Sequence, residues 1–307
     1  MHGIAHHGGV LTFALGLAGL VGGLSHRPAA AQDWEAVVVE ATPVAGSVHL
    51  VTGRGGNLAV STGEDGIFLV DDQFAPLTGR IRAALHELQE GTIRFLLNTH
   101  WHGDHTGGNE NFGQGGSMII AHDKVRERMS VPQVQKLRGR TVPASPAGAL
   151  PILTFSGELR FHLNGEEIHV FHVPNAHTDG DAIVHFKGSD VIHLGDVFFN
   201  GSYPYIDLDS GGSVAGMLAA QDRVLEIIGP NTKLIPGHGP LASPEELQAA
   251  RSMLASVQKR VRAAIHAGET VEALRARSPL ADLEADWGGG FMSSNQLLSI
   301  VFTDLAR

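Results

Sequence analysis

The chain has 307 residues, 43% hydrophobic and 18% charged, with a formal net charge of −10. That composition supplies a large core and excludes a disordered or fibrous polypeptide. The acidic balance excludes non-specific nucleic-acid binding, which needs basic surface. Cysteine is absent, so there are no disulfides or thiolate ligands, and any metal must be held by nitrogen and oxygen.

Residues 1–31 read as an export signal. Leu11 to Leu24 is apolar and glycine-rich but too short to span a bilayer, and Ala29-Ala30-Ala31 gives an A-x-A cleavage pattern before Gln32. No Lys or Arg precedes the apolar run, and an uncleaved membrane anchor is the competing reading. Cleavage leaves a single domain over 32–307, periplasmic or secreted, with no stable membrane association. Because 1–31 contains Arg27 and no acid, it moves the net charge from −10 to −11.

Downstream, Val48 to Thr52 and Leu58 to Val60 read as strands joined across Gly53 to Gly56, and Ile67 to Val70 is a third apolar run ending at Asp71-Asp72. Thr78 is placed as the cap of a helix presenting Ile81, Ala84, Leu85 and Leu88, closed by Gly91. Ile93 to Leu97 and Met118 to Ala121 read as buried strands, with a helix starting near His122-Asp123. Residues 131–157 hold Pro132, Pro143, Pro146 and Pro151 and read as a long loop or lid. Asn164-Gly165 between Leu159 to Leu163 and Glu167 to Val173 is the strongest hairpin signal in the chain. Ala182 to Phe186, Val191 to Leu194 and Leu234-Ile235 follow as strands. Ser213 caps a helix through Ile228, and Ser243-Pro244-Glu245-Glu246 opens another to about Ala267 with a capping box. A last amphipathic helix covers 293–306. Strands interspersed with helices and hairpins predict a mixed-sheet, layered α/β domain.

The chemistry concentrates after Leu97, where Asn98-Thr99-His100-Trp101-His102-Gly103-Asp104-His105 packs three imidazoles and a carboxylate into six residues. Histidine is the commonest metal ligand and carboxylate its usual oxygen partner in catalytic zinc sites. A strand end opening into a loop suits a site that needs solvent access. Three further donors each follow an apolar run: His177, Asp196 and His238. Donors delivered from several strand ends converge at one sheet edge, giving seven: His100, His102, Asp104, His105, His177, Asp196 and His238.

The H-x-H-x-D-H motif, His177-Thr178, Gly195-Asp196 and Gly237-His238, in that order, resemble the metallo-β-lactamase fold hydrolases over roughly residues 45–240. The resemblance implies an α/β fold of the αββα four-layer sandwich type, the catalytic domain ending in C-terminal helices. It assigns one zinc to His100, His102 and His177 and a second to Asp104, His105 and His238, with Asp196 bridging as in the glyoxalase II branch. It implies two Zn2+ per chain, with iron or manganese also suited to nitrogen and oxygen donors. The implied activity is an exported dinuclear zinc hydrolase in which a metal-bound hydroxide attacks a carbonyl, with Asp104 orienting the nucleophile and accepting its proton. A net positive centre attracts small anionic or oxyanion-forming substrates, a β-lactam-type cyclic amide first. The common clinical lactamase subclass has cysteine at the position of Asp196 and a substrate-holding lysine at that of Phe199. Lactone or thioester hydrolysis, as in glyoxalase II, is therefore the alternative, although the region after 243 is short for that enzyme's substrate-binding helices. A mononuclear-iron sulfur dioxygenase is a further alternative from a different class.

His162, His172, His185 and His193 lie within strand patterns and read as packing or supporting residues. Trp101 reads as packing, Asp179 and Asp181 as turn formers, and Lys259, Arg260 and Arg262 as a solvated helix face. Asn200, Tyr203 and Tyr205 follow Asp196 closely, and substrate contact and loop structure explain them equally.

Overall fold

The computed structural model describes residues 1–3 and 33–307, and residues 4–31 of the expected export signal lie outside the described residues. The first sheet is built from β1 (Glu40–Ala45), β2 (Val48–Thr52), β3 (Leu58–Ser61), β4 (Ile67–Val70), β5 (Ile93–Leu97) and β6 (Met118–His122). Helices α1 (Thr78–Leu88), α2 (Gly103–Thr106), α3 (Asn109–Gln114) and α4 (Asp123–Met129) are interspersed among and after them. A small hairpin, β7 (Gln133–Gln135) and β8 (Arg140–Val142), then precedes β9 (Leu153–Phe155), which completes the first sheet in the order β1-β2-β3-β4-β5-β6-β9. The second sheet runs in sequence order through β10 (Glu158–Leu163), β11 (Glu166–His172), β12 (Ala182–Phe186), β13 (Val191–His193) and β14 (Lys233–Ile235). Helix α5 (Val214–Ile227) precedes β14, and α6 (Pro244–His266), α7 (Val271–Ala276), α8 (Glu284–Trp287) and α9 (Ser294–Leu305) follow it.

Alternation along the strands decides how these elements layer. Phe68 and Val70 of β4 and Leu97 of β5 face Val170, Val184 and Val191 of the second sheet in one shared apolar cluster. Their neighbours Ile67, Leu69 and Leu96 point the other way, onto Ile81 and Leu85 of α1. On the second sheet, Phe171, Ile183 and Ile192 turn outward onto Val214 and Met217 of α5 and Leu254 and Val257 of α6. The result is helix, sheet, sheet, helix, and the continuous apolar runs are those of strands buried on both faces. Phe68 and Phe161 join the two sheets edge-to-face at 5.0 Å.

Pairing is antiparallel from β1 to β4 and parallel through β4, β5, β6 and β9. In the second sheet β10 to β13 are antiparallel and β13 runs parallel to β14. The parallel strands place the C-terminal ends of β4 and β5, and of β13 and β14, along common edges.

Three sequence readings are corrected by the structure. Thr78 is the first residue inside α1 rather than its cap, because Ala75–Leu77 forms a turn of 3-10 helix and the Thr78 hydroxyl donates to the Ala75 carbonyl. The proline-rich stretch 131–157 is ordered into β7, β8 and β9, which use its few non-proline extended segments. Arg260 is no solvated cation: both terminal nitrogens pair with Asp282, and Nη1 also donates to the Pro279 carbonyl.

Candidate metal centre

All seven expected donors meet at one edge of the sandwich. His100, His102, His177 and Asp196 form one group and Asp104, His105 and His238 a second, with the ligand atoms of each group within 4.8 Å of one another. The loop after β5 supplies His100 and His102, the short helix α2 supplies Asp104 and His105, the segments after β11 and β13 supply His177 and Asp196, and the turn after β14 supplies His238. Asp196 stands between the groups. Its Oδ2 lies 3.5 Å from His177 Nε2 and 3.8 Å from His100 Nε2, whereas its Oδ1 lies 3.1 Å from His105 Nε2 and 3.5 Å from His238 Nε2.

The donors fit a pair of cations. His105 Nε2 and Asp196 Oδ1 are buried and face each other without forming a hydrogen bond. Buried polar atoms are normally paired, so two orphans whose lone pairs converge on one space match ligation rather than mutual contact. In the first group His102 Nδ1 lies 3.2 Å from His100 Nε2 and 2.9 Å from His177 Nε2.

The ring atoms turned away from the centre are held by contacts that sequence reading did not assign. His102 Nε2 sits 2.9 Å from Asp207 Oδ2 and 3.1 Å from Gln135 Nε2. His177 Nδ1 donates to the Tyr205 carbonyl at 2.7 Å, and His105 Nδ1 donates to Asp71 Oδ2 at 2.8 Å. Asp71 also accepts from the Thr99 amide and hydroxyl, and Thr99 Oγ1 lies 3.1 Å from His100 Nδ1. One carboxylate therefore orients a ligand of each group. It does so from strained backbone, with Asp71 at φ 61° and Gln73 at φ 57°. Partners of this kind fix the tautomer of a ligating histidine and raise its basicity.

Two glycines allow the approach. A Cβ on Gly56 would overlap the His105 ring, and one on Gly237 would overlap Asp196 Oδ1.

Protons and charge divide along the same line. Burial pushes His100, His102 and His177 below their ordinary value and keeps them neutral, as ligands must be. Burial opposes protonation of His105 and His238 as well, but Asp196, Asp71 and Asp104 override it and raise His105, and Asp196 with Asp104 carries His238 to about 9. Burial alone would raise Asp104 and Asp196; the surrounding histidines, His105 foremost, hold both below the usual carboxylate range.

A cavity of about 460 Å³ opens onto His102, Asp104 and His238. Arg54, Arg138 and Arg140 bring positive charge to its wall, and Phe74, Trp101 and Phe291 bring apolar surface. The β7–β8 hairpin borders it, so the stretch read as a lid does flank the site. Trp101 packs among Val125 and Met129 and donates to Ser210 while also lining this cavity. Phe199, at the position of the lactamase lysine, is buried and stacks on His238 at 5.3 Å. Asn200 is tied to Pro240 and Glu246, and Tyr203 is fully buried, so neither faces a substrate. His193 bonds the Asn57 carbonyl and Asp181 accepts from Thr178, in line with supporting and turn-forming roles.

Comparison with known proteins matches residues 41–250 to the metallo-beta-lactamase superfamily. The chain belongs to this superfamily. A hydroxyacylglutathione hydrolase of Nitrosococcus oceani is 27% identical over 186 residues, covering 60% of this chain and 62% of that protein. The 2,4-dinitroanisole O-demethylase subunit alpha of Nocardioides sp. is 25% identical over 178 residues, 57% of this chain and 50% of that one. This chain thus spans between half and two thirds of the length of these relatives. A metallo-beta-lactamase from Pontibacter korlensis superposes with a TM-score of 0.59 at 17% identity, covering 71% of this chain and 99% of its own. The metallo-β-lactamase fold, with mixed sheets flanked by helices, is thereby shown, in a metal-dependent superfamily of hydrolases.

Proposed function

We propose that this member of the superfamily is a dinuclear hydrolase of a small anionic carbonyl compound, a β-lactam-type cyclic amide first, with zinc as its metal. One observation carries the reading: Asp196 offers separate oxygens to two donor groups, each of which has open space beside it. His100, His102, His177 and Asp196 would hold one ion, and Asp104, His105 and His238, with Asp196, the other. Bound divalent ions supply Lewis acidity and lower the pKa of coordinated water, which makes a nucleophile near neutral pH.

The chain's own residues do the rest. Asp104 lines the cavity with its carboxylate ionised, and Oδ2 lies 3.3 Å from His238 Nε2. It orients the attacking water and takes its proton at the face where substrate arrives. The Arg54, Arg138 and Arg140 side chains draw an anionic group to the wall while Phe74 and Trp101 exclude water from the apolar part of the substrate. The expected export signal supports a periplasmic or secreted enzyme, where such antibiotics act.

Lactone or thioester hydrolysis is the second reading, favoured by the similarity to a hydroxyacylglutathione hydrolase and by Phe199 in place of the lactamase lysine. Elemental analysis of the purified chain together with a panel of chromogenic lactam, lactone and thioester substrates tests both. His102→Ala is expected to abolish turnover and leave a folded protein; retained turnover would sink the proposal.

A further inference from the structure

Beside the cavity at the metal centre lies a second one, of about 240 Å³, between the tip of the β7–β8 hairpin and the C-terminal helices. Arg138 lines both, so it stands on the wall between them. Its guanidinium lies 4.6 Å from the centre of the Tyr205 ring and 5.5 Å from that of Phe291. It makes no hydrogen bond or ion pair with any described residue.

Arg128, Arg251, Arg260 and Arg277 each pair with a carboxylate. Arg275, at the end of α7, opens onto the same side cavity and donates through Nε to the Asn295 carbonyl, but no carboxylate meets it among the described residues. No acidic residue is among those lining this cavity; Gln296 and Ser299 add polar atoms from α9. The aromatic rings hold the Arg138 plane in place by cation–π contact, which leaves its N–H fork unused. Two guanidinium groups that meet no carboxylate among the described residues, facing a small, semi-polar space, form a receptor for a carboxylate or similar planar anion.

The same rings link this space to the metal centre. Tyr205 lies 5.9 Å from the His102 ring and 5.7 Å from that of His177, and Phe291 lies 6.0 Å from the His238 ring. A molecule whose scissile group sits at the donors can therefore reach past Arg138 with a second, distal group.

We propose that the side cavity is a specificity subsite in which Arg138 and Arg275 bind an anionic group distal to the bond that is cut, so that the preferred substrate carries a negative charge at its far end. This rests on the hydrolase reading for the site of cleavage, but its test does not need turnover. Binding of the dicarboxylates succinate, glutarate, adipate and suberate to the metal-loaded protein is measured by titration calorimetry, each beside its monomethyl ester. The readout is the affinity ratio of diacid to monoester, which cancels the contact of the shared carboxylate with the metals.

For at least one chain length the wild-type ratio should be about tenfold, the worth of a charge-assisted pair. Arg138→Ala and Arg275→Ala should each bring it near one. Arg160→Ala, which removes a distant charge from β10, should leave it unchanged. A wild-type ratio near one at every length, a ratio that survives both variants, or no measurable binding of any diacid would overturn the subsite. Loss of turnover in His102→Ala with the ratio intact would separate the two readings.

Discussion

At the scale of single residues, the centre depends on side chains that never touch the reacting molecule. Asp71→Asn and Asp207→Asn each keep the size of the side chain but replace a carboxylate that accepts from an imidazole N–H. Each is expected to weaken metal binding by about 10–100-fold, measured by competition with a chromophoric chelator. Asp71→Asn should affect both donor groups, since Asp71 reaches His105 directly and His100 through Thr99, whereas Asp207→Asn should affect the first group alone. The pH dependence has a definite sign. In the metal-free chain His238 is raised from 6.5 to about 9, so its charged form contributes stability that is fully present below 6.5 and lost as pH rises through about 9. A metal must displace that proton, so affinity should rise across this window and adding zinc should release protons, which a dye in weak buffer would detect. Equal affinity at pH 6 and pH 9 would contradict this. The seven donors were legible because histidine-rich motifs at strand ends are rare by chance. Asp71 and Asp207 were not, because an isolated aspartate looks like a turn residue until the fold brings an imidazole to it.

At the scale of elements, local chemistry was readable wherever the chain itself completes the interaction. The Asn164-Gly165 hairpin adopts φ of 52° and 79°, as its sequence requires, and the Ser243 capping box forms with both of its hydrogen bonds. Ser243→Ala should cost about 1 kcal/mol, measured by denaturant unfolding, without changing metal content. Elements stabilised mainly from outside were not readable. β1 is a half-exposed edge strand interrupted by Pro43, so it shows neither a continuous apolar run nor clean alternation. α7 and α8 are too short to display a helical period; α7 buries only Leu274, in the cluster it shares with α6 and α9, and α8 buries no residue. β7 and β8 pair across a left-handed Gly139 within a stretch whose prolines and exposed side chains resemble a loop.

At the scale of the molecule, a layered mixed-sheet domain was legible in the strand patterning and the αββα order only through the family resemblance, while the choice between parallel and antiparallel neighbours was legible in neither. Pairing direction is a long-range outcome, and a run such as Leu234-Ile235 is equally apolar either way. Residues 34–307 form one compact unit, so ligands that bind only the folded state should shift its unfolding as a whole. Stripping the metal with a chelator is expected to lower Tm by about 5–10 °C, taking about 2.7 kcal/mol for hundredfold saturation of a site and a few degrees per kcal/mol. An unchanged melting curve by scanning calorimetry would argue against ligation by both halves.

The passage from β9 to β10 has a further consequence. Only Ser156 and Gly157 separate the last strand of one sheet from the first of the other. His100, His102, Asp104 and His105 precede that junction, while His177, Asp196 and His238 come after it, so each donor group is shared between the two segments. Neither portion alone owns a complete coordination set. A polypeptide severed there would yield two inert halves, and recovery of tightly held metal after mixing would record their reunion.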